Sequence, residues 1–287
     1  MSSKDYSSVS PSAKSLLMLK GYTNIPFAQE TAALLQGPEV FGLNFEDKDL
    51  GFWMRVMHFE SRYWSIDQLL RDAGTNNILE LSSGYSLRGL DLCRKNAKVH
   101  YIDTDLPDVV GVKQRMIEHL QLYADLKGLL DLRPLNAMDE QEFEQVSEKF
   151  DEQPLGIVNE GLLMYLNTDE KIQLCHSVRK ALLKNGGYWI TADIYVKRPA
   201  ELMSKLPQSA SESAFFEQHH IEENKFDSYE QAASFFREQG LEFVKEAVPD
   251  YASLSAMPHL VKLLPEEVRN SKQAPPKIQA TWMLKAI

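Results

Sequence analysis

From residue 77 onward, short apolar runs alternate with longer amphipathic ones, and this rhythm constrains the fold more than any other feature of the chain. Runs at 77–81, 98–103, 129–134, 155–159 and 187–196 read as strands, and the stretches 87–96, 106–124, 139–149 and 168–184 read as helices. Such alternation predicts an α/β fold with a mostly parallel sheet and helices on both faces. Upstream, residues 11–73 look helical, with Leu16, Leu17, Leu19, then Phe52, Trp53, Val56, then Ile66, Leu69, Leu70 at helical spacing. Gly21 and Gly37-Pro38 punctuate them. Downstream, 197–227 is polar and irregular, with short helical pieces expected at Ala200–Leu206 and Glu212–Gln218. A helix at 228–239 stops on Gly240, and a strand at 242–247 follows. A second insertion, 250–277, carries four prolines, and Thr281–Ile287 fits a last strand inserted antiparallel. No internal repeat is present. The expected layout is a loose tail at 1–10 and one domain at 11–287. Within it, 11–73 forms a helical cap, and 197–227 and 250–277 form a lid over the carboxyl end of the sheet.

At 287 residues and 44% hydrophobic, the chain can bury a full core. A net charge of −10 argues against sequence-independent nucleic-acid binding and against docking on an anionic membrane. Cys93 and Cys175 both fall inside expected helices, and no Cys/His spacing suits zinc or any other metal. They read as buried, reduced thiols of a cytoplasmic protein. The serine-rich start lacks the apolar segment of a signal peptide, and no run reaches the ~18 apolar residues of a membrane span.

The binding chemistry is written at the strand ends. Ile78-Leu79-Glu80-Leu81-Ser82-Ser83-Gly84 reads as a buried strand that runs into a tight turn and a helix. Tyr101-Ile102-Asp103-Thr104-Asp105-Leu106-Pro107 reads as a second strand that ends on acid, with Asp103 nineteen residues after Gly84. That gap matches the roughly 20 residues between a nucleotide-binding turn and the carboxylate that accepts from both ribose hydroxyls. A dinucleotide turn needs three glycines to approach a pyrophosphate, and only Gly84 is present here. The turn therefore favours an adenosine-type cofactor without phosphate, such as S-adenosylmethionine. Glu80 orients the loop or accepts from the cofactor. Of Asp103 and Asp105, one is expected on the ribose and the other as a helix cap; the sequence leaves open which. Asn136-Ala137 follows the third strand, where a side-chain carbonyl can accept from an adenine amine. Gly156-Ile157-Val158-Asn159-Glu160 delivers a carboxylate to the sheet edge, suited to an ammonium or sulfonium group. Arg62 lies on a helix in an apolar segment; its planar fork matches a carboxylate, and a partner such as Glu60 is the bland alternative. His219-His220 read as a solvated loop.

At these residues the chain resembles the leucine carboxyl methyltransferase superfamily, which includes the polyketide-type O-methyltransferases. Arg62 with Asp67 resembles the family's Arg-Thr…Asp helix, and Gly84-Tyr85-Ser86-Leu87-Arg88 its Gly-Leu-Asp-Thr-Arg turn. Asp103-Thr104-Asp105-Leu106-Pro107 with Lys113 resembles Glu-Val-Asp-Leu-Pro…Lys, and Glu160-Gly161-Leu162-Leu163-Met164-Tyr165-Leu166 resembles Glu-Gly-x-x-x-Tyr-Leu. Ser12-Ala13 through Lys20-Gly21 and Ile25-Pro26-Phe27-Ala28 resemble its helical opening. The likeness runs from about residue 9 to 196. Ser82, Ser86 and Asn136-Ala137 depart from it, at a glycine-type position, a turn Asp and an Asp-Leu pair.

The resemblance implies a Rossmann-like class I methyltransferase sheet with its last strand antiparallel, and S-adenosylmethionine as cofactor. It implies that Arg62, with Lys20, holds the methionine carboxylate and that Glu160 lies near its ammonium. Tyr165 is expected to face the acceptor pocket. The expected reaction is direct in-line methyl transfer to oxygen. A carboxylate acceptor needs no base, whereas a phenol, with a pKa near ~10, wants one; the lack of histidine in the motifs favours a carboxylate, on a small molecule or a protein C-terminus. Two rival readings are a phenolic O-methyltransferase and a regulatory protein that binds the cofactor without turnover. A nicotinamide oxidoreductase is disfavoured by the missing glycines. The oligomeric state is not legible.

Overall fold

A computed structural model describes residues 10–35, 45–150, 153–197, 210–269 and 277–287. Of the expected tail at 1–10, Ser10 already belongs to the first helix; the rest of that tail, the helical piece at 200–206 and parts of both expected lid segments lie outside these residues. The chain opens with α1 (Ser10–Lys20), α2 (Ala28–Leu34) and α3 (Leu50–Ala73). It then alternates through β1 (Asn77–Leu81), α4 (Arg88–Lys95), β2 (His100–Asp105), α5 (Pro107–His119), β3 (Leu129–Pro134), α6 (Glu140–Ser147), β4 (Leu155–Asn159), α7 (Thr168–Asn185) and β5 (Gly187–Tyr195). The rest comprises α8 (Ala210–Gln218), α9 (Tyr229–Glu238), β6 (Leu241–Glu246), α10 (Met257–Leu263), α11 (Glu266–Arg269) and β7 (Gln279–Ala286).

The seven strands form one sheet in the order β3-β2-β1-β4-β5-β7-β6. β7 is antiparallel to both of its neighbours, and every other adjacent pair is parallel. The order reverses between β1 and β4, which opens a crevice at their carboxyl ends, the usual place for a ligand in such a sheet. Registers of Leu81 with Asn159 and Glu80 with Asp103 bring the acids ending three strands to that one edge.

Period-two alternation splits the core between the two faces. Leu79, Leu81, Ile157 and Trp189 pack with α7 and α9 through Leu174, Val178 and Phe236. Ile78, Val158 and Ile190 pack with α3 through Ile66, Leu69 and Leu70. α3 is 24 residues long, about 36 Å, and overshoots the sheet. Asp49 caps its start by accepting from the Phe52 N–H, and Gly74, at φ +64°, ends it. Its first half packs against α1 and α10 through Phe52, Trp53, Val56, Leu19 and Leu260. Buried Glu60 pins the second insertion to this half, accepting from Ser255 N–H and Oγ–H and from Ala256 N–H. The overshoot carries Arg62 to the carboxyl edge of the sheet.

Several boundaries differ from the sequence expectation. β2 runs two residues further, to Asp105, because Thr104 and Asp105 still pair with Arg133 and Pro134 of β3. The helix expected to reach 124 stops at His119 and gives way to a short 3-10 turn at Leu122–Asp125, after Gln121 takes φ +52°. Among the described residues, no helix is long and apolar enough to cross a membrane.

Candidate active site at the carboxyl edge of the sheet

The crevice is lined by paired charge. Glu160, just past β4, accepts from Lys20 of α1 at 2.7 Å and from Arg88 of α4 at 3.1 Å, and Arg62 Nε lies 3.8 Å away. Burial opposes ionisation of Glu160, but these three cations outweigh it and hold its pKa at about 2. Burial lowers the Lys20 pKa, with Glu160 pulling the other way. Arg88 joins the network to β1 and α3, since it also faces Glu80 at 3.4 Å, pairs with Asp67 and donates to the Tyr63 carbonyl. Its guanidinium stacks over the Tyr63 ring. Glu80 accepts from the Tyr101 hydroxyl at 2.7 Å. Burial raises its pKa to about 7, Arg88 pulling it down and Asp103 pushing it up.

The two candidate ribose acids separate clearly. Asp103 is committed inward, to Lys113 at 2.7 and 2.9 Å and to the Ser83 hydroxyl. Asp105 stands at the end of β2 and accepts from the backbone N–H of Gly84 at 2.6 Å and of Leu106 at 2.7 Å. Burial raises its pKa, against the pull of those two N–H groups and Lys113. Gly84, at φ +57°, makes the turn that brings its N–H to Asp105. Ser82 sits in the same turn at φ +50°, a left-handed conformation held without glycine.

Arg62 departs from the expectation in detail. Its fork is turned toward β5: one terminal nitrogen donates to the Tyr195 hydroxyl at 3.0 Å, and the other to Asp193 at 3.4 Å. Its buried Nε has no hydrogen-bond partner. Glu60, the bland alternative partner, is spent on Ser255 and Ala256 instead. Tyr195 in turn lies 2.7 Å from His58 Nε2, and burial pushes its phenol up to about 12.

The remaining expected residues stand apart from this network. Asn136 uses its amide oxygen to accept from Met138 N–H, and Ala137 is buried in the core beside it. Tyr165 donates to Ser12 Oγ at 3.2 Å and packs with Phe215 of α8, which joins α1 to the turn after β4. Asp193, Tyr195 and Asn159 carry weight that sequence reasoning did not assign. The available signal was polarity out of place, an acid and an amide inside strands otherwise built of apolar residues.

The ionic groups thus grip one another. The cavity beside them, lined by Lys20, Tyr63, Tyr85, Ser86 and Leu87 among others, measures about 10 Å³, enough for about one water molecule.

Among solved structures, a DUF574 family protein from Streptomyces avermitilis shares the fold at 12% identity, with a TM-score of 0.56 over 96% of this chain and 97% of that one. Magnesium protoporphyrin IX methyltransferase from Synechocystis, solved with SAH, matches at 9% identity and a TM-score of 0.48, covering 92% of this chain and 95% of that one. The mitomycin 7-O-methyltransferase MmcR matches at 9% identity and 0.49 over 82% of this chain, which spans 57% of that protein's length. No curated protein sequence matches significantly. The sequence profile of the leucine carboxyl methyltransferase family matches residues 26–179, more than half of the chain. The chain belongs to the leucine carboxyl methyltransferase family.

Proposed function

We propose that this protein is an S-adenosylmethionine-dependent O-methyltransferase that methylates a carboxylate, on a small molecule or a protein C-terminus. The observation that carries the reading is the meeting of Glu160 with Lys20 and Arg62 at the crevice between β1 and β4, on a chain of this family. The cofactor, S-adenosylmethionine, supplies a methyl group already activated on a sulfonium sulfur. The residues present fit both of its ends. At the amino-acid end, Glu160 offers a carboxylate for an ammonium, while the unpartnered Arg62 Nε and the Lys20 ammonium offer donors for a carboxylate. At the nucleoside end, Asp105 is the acid left beside the Gly84 turn, because Asp103 is held by Lys113. Asn136, whose amide oxygen has a second lone pair, is assigned the adenine amine. Glu80 orients Arg88 and so the turn. Tyr165 joins α1 to the far wall, where the acceptor would enter, and α1 excludes water from the crevice.

A carboxylate acceptor is ionised at neutral pH and asks for no base. One contact favours a hydroxyl acceptor instead: His58 and Tyr195 form a hydrogen-bonded pair that ends on Arg62. Methyl-labelled S-adenosylmethionine tests the reading against a panel of carboxylic acids, C-terminal peptides and phenols. A labelled ester releases its methyl as methanol in mild alkali, and an aryl ether does not. Ester formation with no titration near neutrality supports the carboxylate. An alkali-stable product whose neutral titration disappears in His58→Gln supports the hydroxyl. Failure to bind S-adenosylmethionine or S-adenosylhomocysteine by calorimetry overturns both.

A further inference from the structure

We propose that Asp193 is a positioning residue for the amino-acid end of the cofactor, acting through the turn that carries Glu160 and through Arg62; this rests on the cofactor reading above. Asp193 sits where β5 slips register against β7, between Thr191 and Ile194, with one more residue on β5 than on its partner. Bulges of this kind re-aim a side chain and are common beside active sites. Here the bulge sends a carboxylate toward the neighbouring strand β4. One oxygen of Asp193 accepts from Gly161 N–H at 2.7 Å. The other accepts from Leu162 N–H at 2.7 Å, Leu163 N–H at 3.1 Å and the Asn159 amide at 2.6 Å.

Three successive backbone N–H groups therefore converge on one anion, which is how backbone concavities bind external anions. In this protein the anion is its own. Glu160 immediately precedes the captured turn, so its side chain starts from a main chain that Asp193 holds. The same carboxylate takes an N–H of Arg62 at 3.4 Å, and a Cβ placed on Gly161, at φ +89°, would lie 3.2 Å from that nitrogen. One buried group thus fixes both the acid and the guanidinium that address the amino-acid end. The nucleoside end is built from different elements, Gly84 after β1 and Asp105 on β2.

This division makes the proposal testable with two ligands in the full-length chain. S-adenosylhomocysteine carries both ends, and 5′-methylthioadenosine carries only the nucleoside. Asp193→Asn replaces one acceptor with an amide donor facing N–H groups. It should weaken S-adenosylhomocysteine by about tenfold or more, the scale of loss when a group that orients a ligand-binding residue is removed. It should leave 5′-methylthioadenosine within about twofold, both measured by calorimetry. Equal losses on the two ligands, or no loss on S-adenosylhomocysteine, overturn the proposal. Should circular dichroism show Asp193→Asn unfolded, Gly161→Ala perturbs the same turn and must give the same split. Wild-type protein that binds neither ligand overturns the cofactor reading, and with it this one.

Discussion

Glu80 and Glu160 end neighbouring strands, a few residues from the same register pair, and the side chains of both are buried, at 1% and 6% exposure. They nonetheless ionise in opposite senses, with Glu80 pushed up to about 7 and Glu160 held at about 2. Burial alone raises any carboxyl, so the contrast lies in company. Glu160 faces three cations on three different helices. Glu80 faces Arg88 at a longer distance, shares a phenol and stands opposite Asp103 in the sheet. Charge at this edge is therefore set by how many helix-borne cations reach each strand end. The strand end proposed for an ammonium ligand keeps a permanent anion, whereas the end beneath the Gly84 turn holds a carboxyl that titrates near neutrality.

The largest break in that contrast is removal of the anion. Glu160→Gln removes the anion that Lys20, Arg62 and Arg88 share and should cost about 3–5 kcal/mol of stability. Glu80→Gln imitates the protonated form, which is already substantially populated at pH 7, and should cost less than about 1 kcal/mol there. Urea unfolding of the two variants checks this, and equal losses would erase the distinction.

A smaller effect follows from pH. The folded pKa of Glu80 lies above its ordinary value of 4.5, so between 4.5 and about 7 the folded chain keeps a proton that the unfolded chain has released. The stability linked to Glu80 is fully present below 4.5 and is lost as pH rises through 7, on the order of 3 kcal/mol. Glu160 has the reverse sign: its contribution is present above 4.5 and is lost as pH falls toward 2. Relative to wild type, Glu80→Gln should gain stability between pH 4.5 and 7.5, read from urea midpoints. A flat difference across that range would mean that Glu80 is not perturbed.

The smallest effect separates the two turns. Gly161, after β4, holds φ +89° with glycine, whereas Ser82, after β1, holds φ +50° without it. Ser82→Gly should add up to about 1 kcal/mol, strain relief less the entropy glycine gains on unfolding, and a thermal melt detects it. A lower melting temperature would show that the serine side chain earns its place.

Legibility follows the range of the forces involved. β1, β3 and β4 are found at the residues expected of them, because each is a short run rich in Leu, Ile or Val flanked by turn residues. β2 extends past its expected end because Asp105 looks like a helix cap in the sequence, whereas it still pairs with Pro134 of β3. Lys20, Arg62 and Glu160 could be nominated from local motifs and do meet. The direction of the Arg62 fork could not, because Asp193 and Tyr195 lie more than a hundred residues away. Nor could the different partners of Asp103 and Asp105, of which only Asp103 is bound by Lys113 among the described residues.

The sheet order has a consequence for how such a chain is made. Among the described residues, β6 pairs with the sheet only through β7, the strand that follows it in sequence, and β7 must slide between β5 and β6. While the polypeptide leaves the ribosome, five parallel strands can assemble in order, but β5 keeps an unpaired margin until the closing segment arrives. Nascent protein of this topology therefore passes through a stage with a naked sheet border, the moment at which it most needs shielding from its neighbours.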